Sequence, residues 1–380
     1  MASYESTCAL FASGRAQCWG DNSLGQLGIG LLSRAEPRPV AVRDGWGRVL
    51  SGQRSFGLGL SHGCAAFDDG SARCWGTGWW GQIGDGVLGP NHVVAVPSTV
   101  IDDEGRALHG VAQARGGGSF SCALLEDTTA RCWGDNGAGQ LGTGSNGAMQ
   151  PFASAPVFDA FGGGALRGVS QLALGSNFGC ALLADSTVRC WGENAEGELG
   201  RGAEGPPDPV PRPVVDAGGE MVRGASQIAA GPYHACAVVE GGGVSCWGSN
   251  AFGQLGTGSE ALFTPAAVAV VDEGGVALRG ARQIALNDPS CAALDDTSLR
   301  CWGDNAFGQV GDGTSGGPVR RAVAVRDASG GVLGGVLEVA PGSTHVCARR
   351  QDDSVLCWGG NNAGQLGGGT TAGLSPAPAP

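Results

Sequence analysis

Two cysteines ten positions apart, the second always followed by Trp-Gly, occur seven times in this chain. The second cysteines are Cys18, Cys74, Cys132, Cys190, Cys246, Cys301 and Cys357, separated by 56, 58, 58, 56, 55 and 56 residues. Self-similarity at so regular a period marks a repeat architecture. It makes the 380 residues one array rather than the two or three independent domains that length alone would allow. The 72 glycines recur at fixed places in each copy, as turn residues do, without the triplet period of collagen.

Each copy aligns as an apolar strand, a tight turn, a second strand and a Gly-rich loop; CALLEDTTARCWGDNGAGQLGTG, Cys122 to Gly144, is a clean example. The intervening 32 to 35 residues carry an extended segment such as Arg38–Val42, then an apolar segment such as Ser170–Gly175. Every unit therefore reads as four short strands punctuated by Gly, Pro, Asn and Asp, with no helical periodicity. Four strands in each of seven units predict an all-β, seven-bladed β-propeller of four-stranded antiparallel blades. The propeller is expected over residues 1–369, with 370–380 as a Pro/Ala-rich tail. One blade looks incomplete. Only 7 residues precede Cys8 and 11 follow Gly369, so a ring closed through both termini lacks about 15 residues, roughly one strand of ~5–6 residues with its turn. The expectation is a natural start further upstream; the alternative is a three-stranded blade.

The hairpin turn decides what the cysteines can do. A three-residue loop sets Cys8 directly opposite Cys18, within disulfide reach. A two-residue loop slips the register by one and turns the sulfurs to opposite faces. Gly14, Gly70 and Gly242 suit the left-handed third position of the longer loop; Thr128, Ser186, Thr297 and Asp353 suit it less, and Asp69-Gly70 also fits a two-residue turn. The apolar residue two before the second cysteine (Ala16, Val188, Val244, Leu299, Val355) favours the longer loop. Seven bridges are therefore expected, Cys8–Cys18, Cys64–Cys74, Cys122–Cys132, Cys180–Cys190, Cys236–Cys246, Cys291–Cys301 and Cys347–Cys357, against the alternative of paired small core residues. Each would contribute at most roughly 2.5–3 kcal/mol through loop entropy.

Fourteen cysteines, all in pairs, favour an oxidising compartment, extracellular or periplasmic, over the cytoplasm. The opening MASYESTCAL shows neither the basic nor the apolar region of a secretory signal. A net charge of −12 with no lysine disfavours nucleic-acid binding, and no apolar run is long enough for a membrane-spanning helix. The cysteine spacing and the scattered histidines form no metal set, so no metal and no cofactor is expected. GTGWWG at Gly76–Gly81 matches a dinucleotide fingerprint but lies in a repeat loop with no helix after it. GLSHG at Gly59–Gly63 and GTSGG at Gly313–Gly317 match the nucleophile-elbow pattern at the frequency this glycine content gives by chance. The acidic pairs Asp68-Asp69, Asp295-Asp296 and Asp352-Asp353 fall at hairpin tips, where Asp bonds its own backbone.

The stretch IAAGPYH (Ile228–His234) and the sevenfold WGxNxxGQLGxG motif resemble, from about Cys8 to Gly369, the regulator of chromosome condensation repeat family. His62, His234 and His345 take that family's histidine position; Phe120, Phe178 and Pro289 replace it in other copies. The resemblance implies a seven-bladed propeller, and the paired cysteines suit a bacterial, secreted type of member. It also implies an alternative role as a guanine-nucleotide exchange factor or chromatin-associated regulator. No basic tail for chromatin is present, and no catalytic residue is carried over.

The position before the glycine of NxxG varies most: Leu24, Trp80, Ala138, Glu196, Phe252, Phe307 and Ala363. Rotational repetition should arrange these on one propeller face, with Trp79 beside Trp80 and Trp46 as a further candidate. Loops carry recognition residues on a rigid scaffold, and tryptophan is enriched at binding hot spots. The CWG tryptophans are expected between blades. Arg73, Arg131, Arg189 and Arg300 form a second ring, expected to stack on aromatics or pair with Asp. The resulting expectation is a non-enzymatic, monomeric scaffold that binds a protein or cell-surface glycan through Leu24, Trp46, Trp79, Trp80, Phe252 and Phe307.

Overall fold

A computed structural model describes residues 1–153 and 155–379. It contains seven separate four-stranded antiparallel sheets, each built from four strands consecutive in sequence. The blades span 2–41, 53–99, 111–150, 169–213, 227–269, 281–324 and 336–379. Helical structure among the described residues is limited to a single 3-10 turn at Glu240–Gly242. Blade 3 is representative, with strands Val111–Gly116, Phe120–Leu125, Ala130–Asn136 and Gly147–Gln150 running from the central axis outward. The first strands line the axis and the fourth strands form the rim.

The hairpins take the three-residue loop. Cys8 pairs with Cys18 and Leu10 with Ala16, while Phe11 N–H donates to the Arg15 carbonyl at 2.9 Å. The third loop position is left-handed in all seven copies. Thr128, Ser186, Thr297 and Asp353 adopt φ of 61–66°, which costs a residue with a Cβ about 1–2 kcal/mol. All fourteen cysteines are bridged in the seven expected pairs, with Cα atoms 4.0–4.1 Å apart.

The blades meet at buried seams that repeat around the ring. Each CWG tryptophan donates its indole N–H to a backbone carbonyl of the preceding blade at 2.8–3.0 Å; Trp75 reaches Gln26, Trp191 reaches Gln140, and Trp19 reaches Gln365 to close the ring. The glycine after GQL or its equivalent is required there. A Cβ on Gly142 would lie 2.7 Å from the Trp191 indole nitrogen. Nearer the axis, the Gln171 amide bridges both the N–H and the carbonyl of Ile228 at 3.0 and 2.9 Å, and Gln227 does the same to Ile284. His62, His234 and His345 cross the seams to Ser121, Ser290 and Thr7, with Nε2–Oγ distances of 2.9, 2.9 and 2.6 Å. Complete burial pushes His62 down to about 4 and His234 and His345 down to about 3, so all three are neutral.

Two expectations change. The ring does not close through a blade shared between the termini: each terminus completes its own blade. Ala2–Ser3 is the two-residue first strand of blade 1, and Leu374–Ala379, within the segment set apart as a tail, is the fourth strand of blade 7. Val355 keeps the register of its copies but not their burial. Its counterparts Val188 and Val244 pack against the first strand of the next blade, but the next first strand after blade 7 is the two-residue one, and Val355 is 45% exposed.

Candidate functional site

Alternating strand directions put the connections from first to second and from third to fourth strand at one end of the ring. The hairpin tips and the links between blades lie at the other. At the first end, the asparagine of WGxN organises each long loop. Asn136 accepts from the Leu141 N–H at 3.2 Å and donates to the Ser145 carbonyl at 3.1 Å; Asn22, Asn194, Asn250, Asn305 and Asn361 make equivalent bonds. The glutamine two residues past the variable position accepts that position's backbone N–H at 2.8–2.9 Å, as Gln82 does from Trp80, Gln254 from Phe252 and Gln309 from Phe307. The backbone of the variable position is thus fixed whatever side chain it carries.

Those side chains differ in exposure. Trp79, Trp80 and Phe252 are exposed, at 41, 44 and 53%; Leu24 and Phe307 are half-buried, Glu196 is exposed, and Ala138 and Ala363 are buried. Sequence order around the ring makes this two groups, not one continuous ring of apolar side chains. Leu24, Trp79 and Trp80 lie on blades 1 and 2, and Phe252 and Phe307 on blades 5 and 6. Trp46 is not with them. It sits in the link between blades 1 and 2, at the opposite end, where it is 86% exposed. The exposed Leu31, Leu32, Leu88 and Leu262 extend the two groups and escaped the sequence analysis. Their loops vary in length and carry no repeated letter.

Blade 2 departs from the repeat. Gly78 stands where six copies have asparagine, and the His92 ring fills the space; a Cβ on Gly78 would lie 2.0 Å from it. Gly78 N–H donates to the His92 carbonyl at 2.8 Å, and His92 Nε2 lies 3.0 Å from Asp85. This brace supports a longer loop that displays Trp79 and Trp80. The signal was present as the one missing Asn in WGxN.

Charge at this end is almost wholly negative. Asp21, Asp135, Glu193 and Asp304 stand at the ends of third strands. Glu5 and Asp288 occupy connections beside the axis, and Asp85, Glu196, Glu198, Glu204, Glu260 and Asp312 lie in the long loops. Against these twelve carboxylates stand three arginines: Arg34 and Arg320 at the starts of fourth strands, the latter donating to the Asn250 carbonyl at 3.5 Å, and Arg201, already bound to Asp208 at 2.5 Å and to two backbone carbonyls. Several carboxylates sit together. Burial raises Glu5, with Asp21 adding to it; burial likewise raises Asp288, with Asp304 adding; and burial raises Glu198, with Glu193 and Glu196 adding. Glu198 replaces the usual glutamine and still accepts the variable position's N–H, from Glu196 at 2.9 Å.

The opposite end is acidic too, but arginines are interleaved with its carboxylates. Arg73 pairs with Asp69 at 2.9 Å and covers the Phe67 ring, and Arg189 pairs with Asp159 at 2.9 Å and covers Phe161. Arg300 reaches Glu273 at 3.4 Å, and Arg131 donates to the Ala153 carbonyl. Asp102, Asp103 and Glu104 are close enough to share a cation, but they form an exposed turn in which Arg106 already binds Asp102 and Glu104. On the axis, a cavity of about 90 Å³ is lined by backbone and by residues such as Gly59, Gly117, Leu174, Gly231, Pro232 and Asn287, with no Asp, Glu, His or Cys.

Comparison with known proteins agrees with this architecture. The model of the regulator of chromosome condensation (RCC1) repeat matches residues 2–26, 111–140, 169–198, 225–254 and 336–365, and a second RCC1 repeat model matches 185–238. The ultraviolet-B receptor UVR8 of Arabidopsis thaliana is 30% identical over 93% of this chain and 75% of its own length. The E3 ubiquitin-protein ligase HERC2 of Homo sapiens is 31% identical over 69% of the chain, which is 5% of HERC2. Human WBSCR16 superposes with a TM-score of 0.78 at 19% identity over 96% of this chain and 92% of its own. Prp20p of Saccharomyces cerevisiae, whose structure was described with its binding to Gsp1p and histones, superposes at 0.74 with 23% identity over the whole chain and 86% of its own. No helix is long and apolar enough to cross a membrane. With its sevenfold motif, its closed ring and a relative matched along nearly its whole length, the chain belongs to the regulator of chromosome condensation (RCC1) repeat family.

Proposed function

We propose that this chain is a non-catalytic, exported recognition scaffold that works as a single copy and captures a protein partner through Leu24, Trp79, Trp80, Phe252 and Phe307. One observation carries the reading: exposed aromatics stand at the positions where the seven copies disagree, held by loop backbones on which the copies agree. Large rigid side chains with fixed backbones lose little entropy on binding, which is the property of an anchor residue. The axial cavity has the hydroxyls of Ser3 and Ser176 in its lining but no acid or base beside them to activate a nucleophile. Seven closed bridges suit an oxidising compartment and favour this role over nucleotide exchange or chromatin regulation inside the cell. Other members of the fold support a protein as partner, since yeast Prp20 was solved bound to Kap60 and described with its binding to Gsp1p and histones.

The test is differential capture. Wild-type protein and a Trp79→Ser/Trp80→Ser/Phe252→Ser variant are immobilised against the secreted and surface proteins of the source cells. A protein retained by the wild type and lost from the variant is the expected result. Identical retention by both overturns the assignment of the face, and retention of glycan alone replaces the protein partner with a carbohydrate.

A further inference from the structure

The two ends of the propeller differ in how their charges are balanced: the hairpin tips and blade links set sixteen arginines among twenty carboxylates, whereas the loop end sets Arg34, Arg201 and Arg320 against twelve. At the hairpin end many carboxylates are answered from within the fold: Arg54 reaches Asp68, Arg73 Asp69, Arg349 Asp353 and Arg350 Asp352, all within 4 Å. At the loop end, Asp85 alone among the twelve has a basic side chain that close, among the described residues, and that group is His92. The remaining eleven have no basic side chain within 4 Å among the described residues. Backbone bonds even set like charges side by side. Asp21 N–H donates to the Glu5 carbonyl at 2.9 Å and Asp304 N–H to the Asp288 carbonyl at 3.5 Å, while Glu193, Glu196 and Glu198 crowd one loop. Like charges so arranged oppose folding; side-chain amides of Gln26, Gln140 and Gln309 donate to Asp21, Asp135 and Asp304 but carry no neutralising charge.

The same end bears the exposed indoles and phenyl rings. Carboxylates interleaved with aromatic faces match one class of ligand group, the guanidinium or ammonium ion, which ion-pairs with the first and stacks on the second. A single sign of charge gathered around the mouth of a low-dielectric ring also attracts a counter-charged partner over distance. We infer that the protein captured at the loop end presents an arginine- or lysine-rich segment, laid across the channel mouth between the two aromatic groups. This rests on the proposed binding role and narrows it to a basic partner. A neutral glycan would leave the carboxylates unanswered.

The probe is a fluorescein-labelled (Arg-Gly)₅ peptide, with (Glu-Gly)₅ as its counterpart, read by fluorescence anisotropy. Binding of the arginine peptide in 20 mM NaCl and at least tenfold weakening in 300 mM NaCl are expected. Glu5→Gln/Glu193→Gln/Asp288→Asn/Asp304→Asn should weaken it at least tenfold. Asp103→Asn/Glu126→Gln/Asp295→Asn/Asp353→Asn removes as many charges from the other end and should change it less than threefold. Equal loss in both variants, no binding at low salt, or equal binding of the glutamate peptide overturns the inference. If the first variant melts far below wild type, the exposed Glu196→Arg change is read instead; alone it should weaken binding about threefold, and an unchanged affinity sinks the idea. The aromatic variant in the same assay separates the two proposals. Sensitivity to charge but not to the aromatics removes the anchor residues and keeps the basic partner, and the reverse pattern does the opposite.

Discussion

Trp191 and Trp80 show how one repeat serves two purposes. Trp191 is fully buried, bonded to the neighbouring blade through the Gln140 carbonyl, and its place is filled by tryptophan in all seven copies. Trp80 is exposed, its backbone is bonded within its own loop, and its place is taken by four other residue types elsewhere in the ring. The indole contact at each seam is kept in every copy because each blade must close against the next to complete the circle. The loop end needs only a constant backbone. What repeats therefore holds the ring, and what varies is displayed.

The sharpest way to break that comparison is at a seam. Trp191→Ala removes the largest side chain between blades 3 and 4 and should cost about 3–5 kcal/mol, read as a lowered urea midpoint. Trp191→Phe keeps most of the volume but leaves the buried Gln140 carbonyl without its donor, so about 1–3 kcal/mol is expected. A Trp191→Ala protein that unfolds at the wild-type midpoint would mean the seams are not what holds the ring.

A second test uses the variation that the seams do contain. Wherever a histidine ends one blade's inner connection, the next blade offers Ser or Thr before its first cysteine: His62 with Ser121, His234 with Ser290, His345 with Thr7. Phe120 and Phe178 instead precede blades with Gly179 and Ala235 at that place. The folded state keeps His234 neutral down to about 3, while the unfolded chain protonates it below about 6.5. The unfolded state thus binds more protons over that window, and stability falls as pH drops from about 6.5 toward 3. Each histidine contributes up to about 1.4 kcal/mol per pH unit. His234→Phe/Ser290→Gly, which copies the pair found elsewhere in the ring, should lower the slope of stability between pH 6.5 and 4.5 by one histidine's share. The carboxylates raised by burial act in the opposite sense in both proteins and cancel in the difference. Equal slopes would show that His234 is not the buried neutral group described.

The same division explains what could be read from the sequence. Period, strand count and cysteine register were legible because sterics leave little choice at a seam: a glycine against an indole, two cysteines face to face across a hairpin. Positive φ at Thr128, Ser186, Thr297 and Asp353 shows why the turn signal was mixed, since the register was enforced by the bridge and the core against local preference. The strand role of Leu374–Ala379 was hidden because proline-rich outer strands have an unpaired edge and look like linker. At the loop end, the radial repeat placed Trp80 and Phe252 correctly on a common end. It could not separate that end from the one bearing Trp46, because strand direction, not residue type, decides it. Nor could it show which carboxylates are paired, since Arg189 reaches Asp159 thirty positions away through blade geometry.

The smallest effect is expected where the comparison is most exposed. Trp80→Ser changes a 44% exposed side chain in a loop whose conformation is set by the Trp80 N–H to Gln82 bond and by His92 against Gly78 and Asp85. None of these contacts involves the indole. Stability should stay within about 0.5 kcal/mol of wild type, measured by the urea midpoint at pH 7. A loss above about 1.5 kcal/mol would make Trp80 a packing residue like Trp191, folded back on its own loop, and would leave Phe252 and Phe307 as the aromatic part of the face.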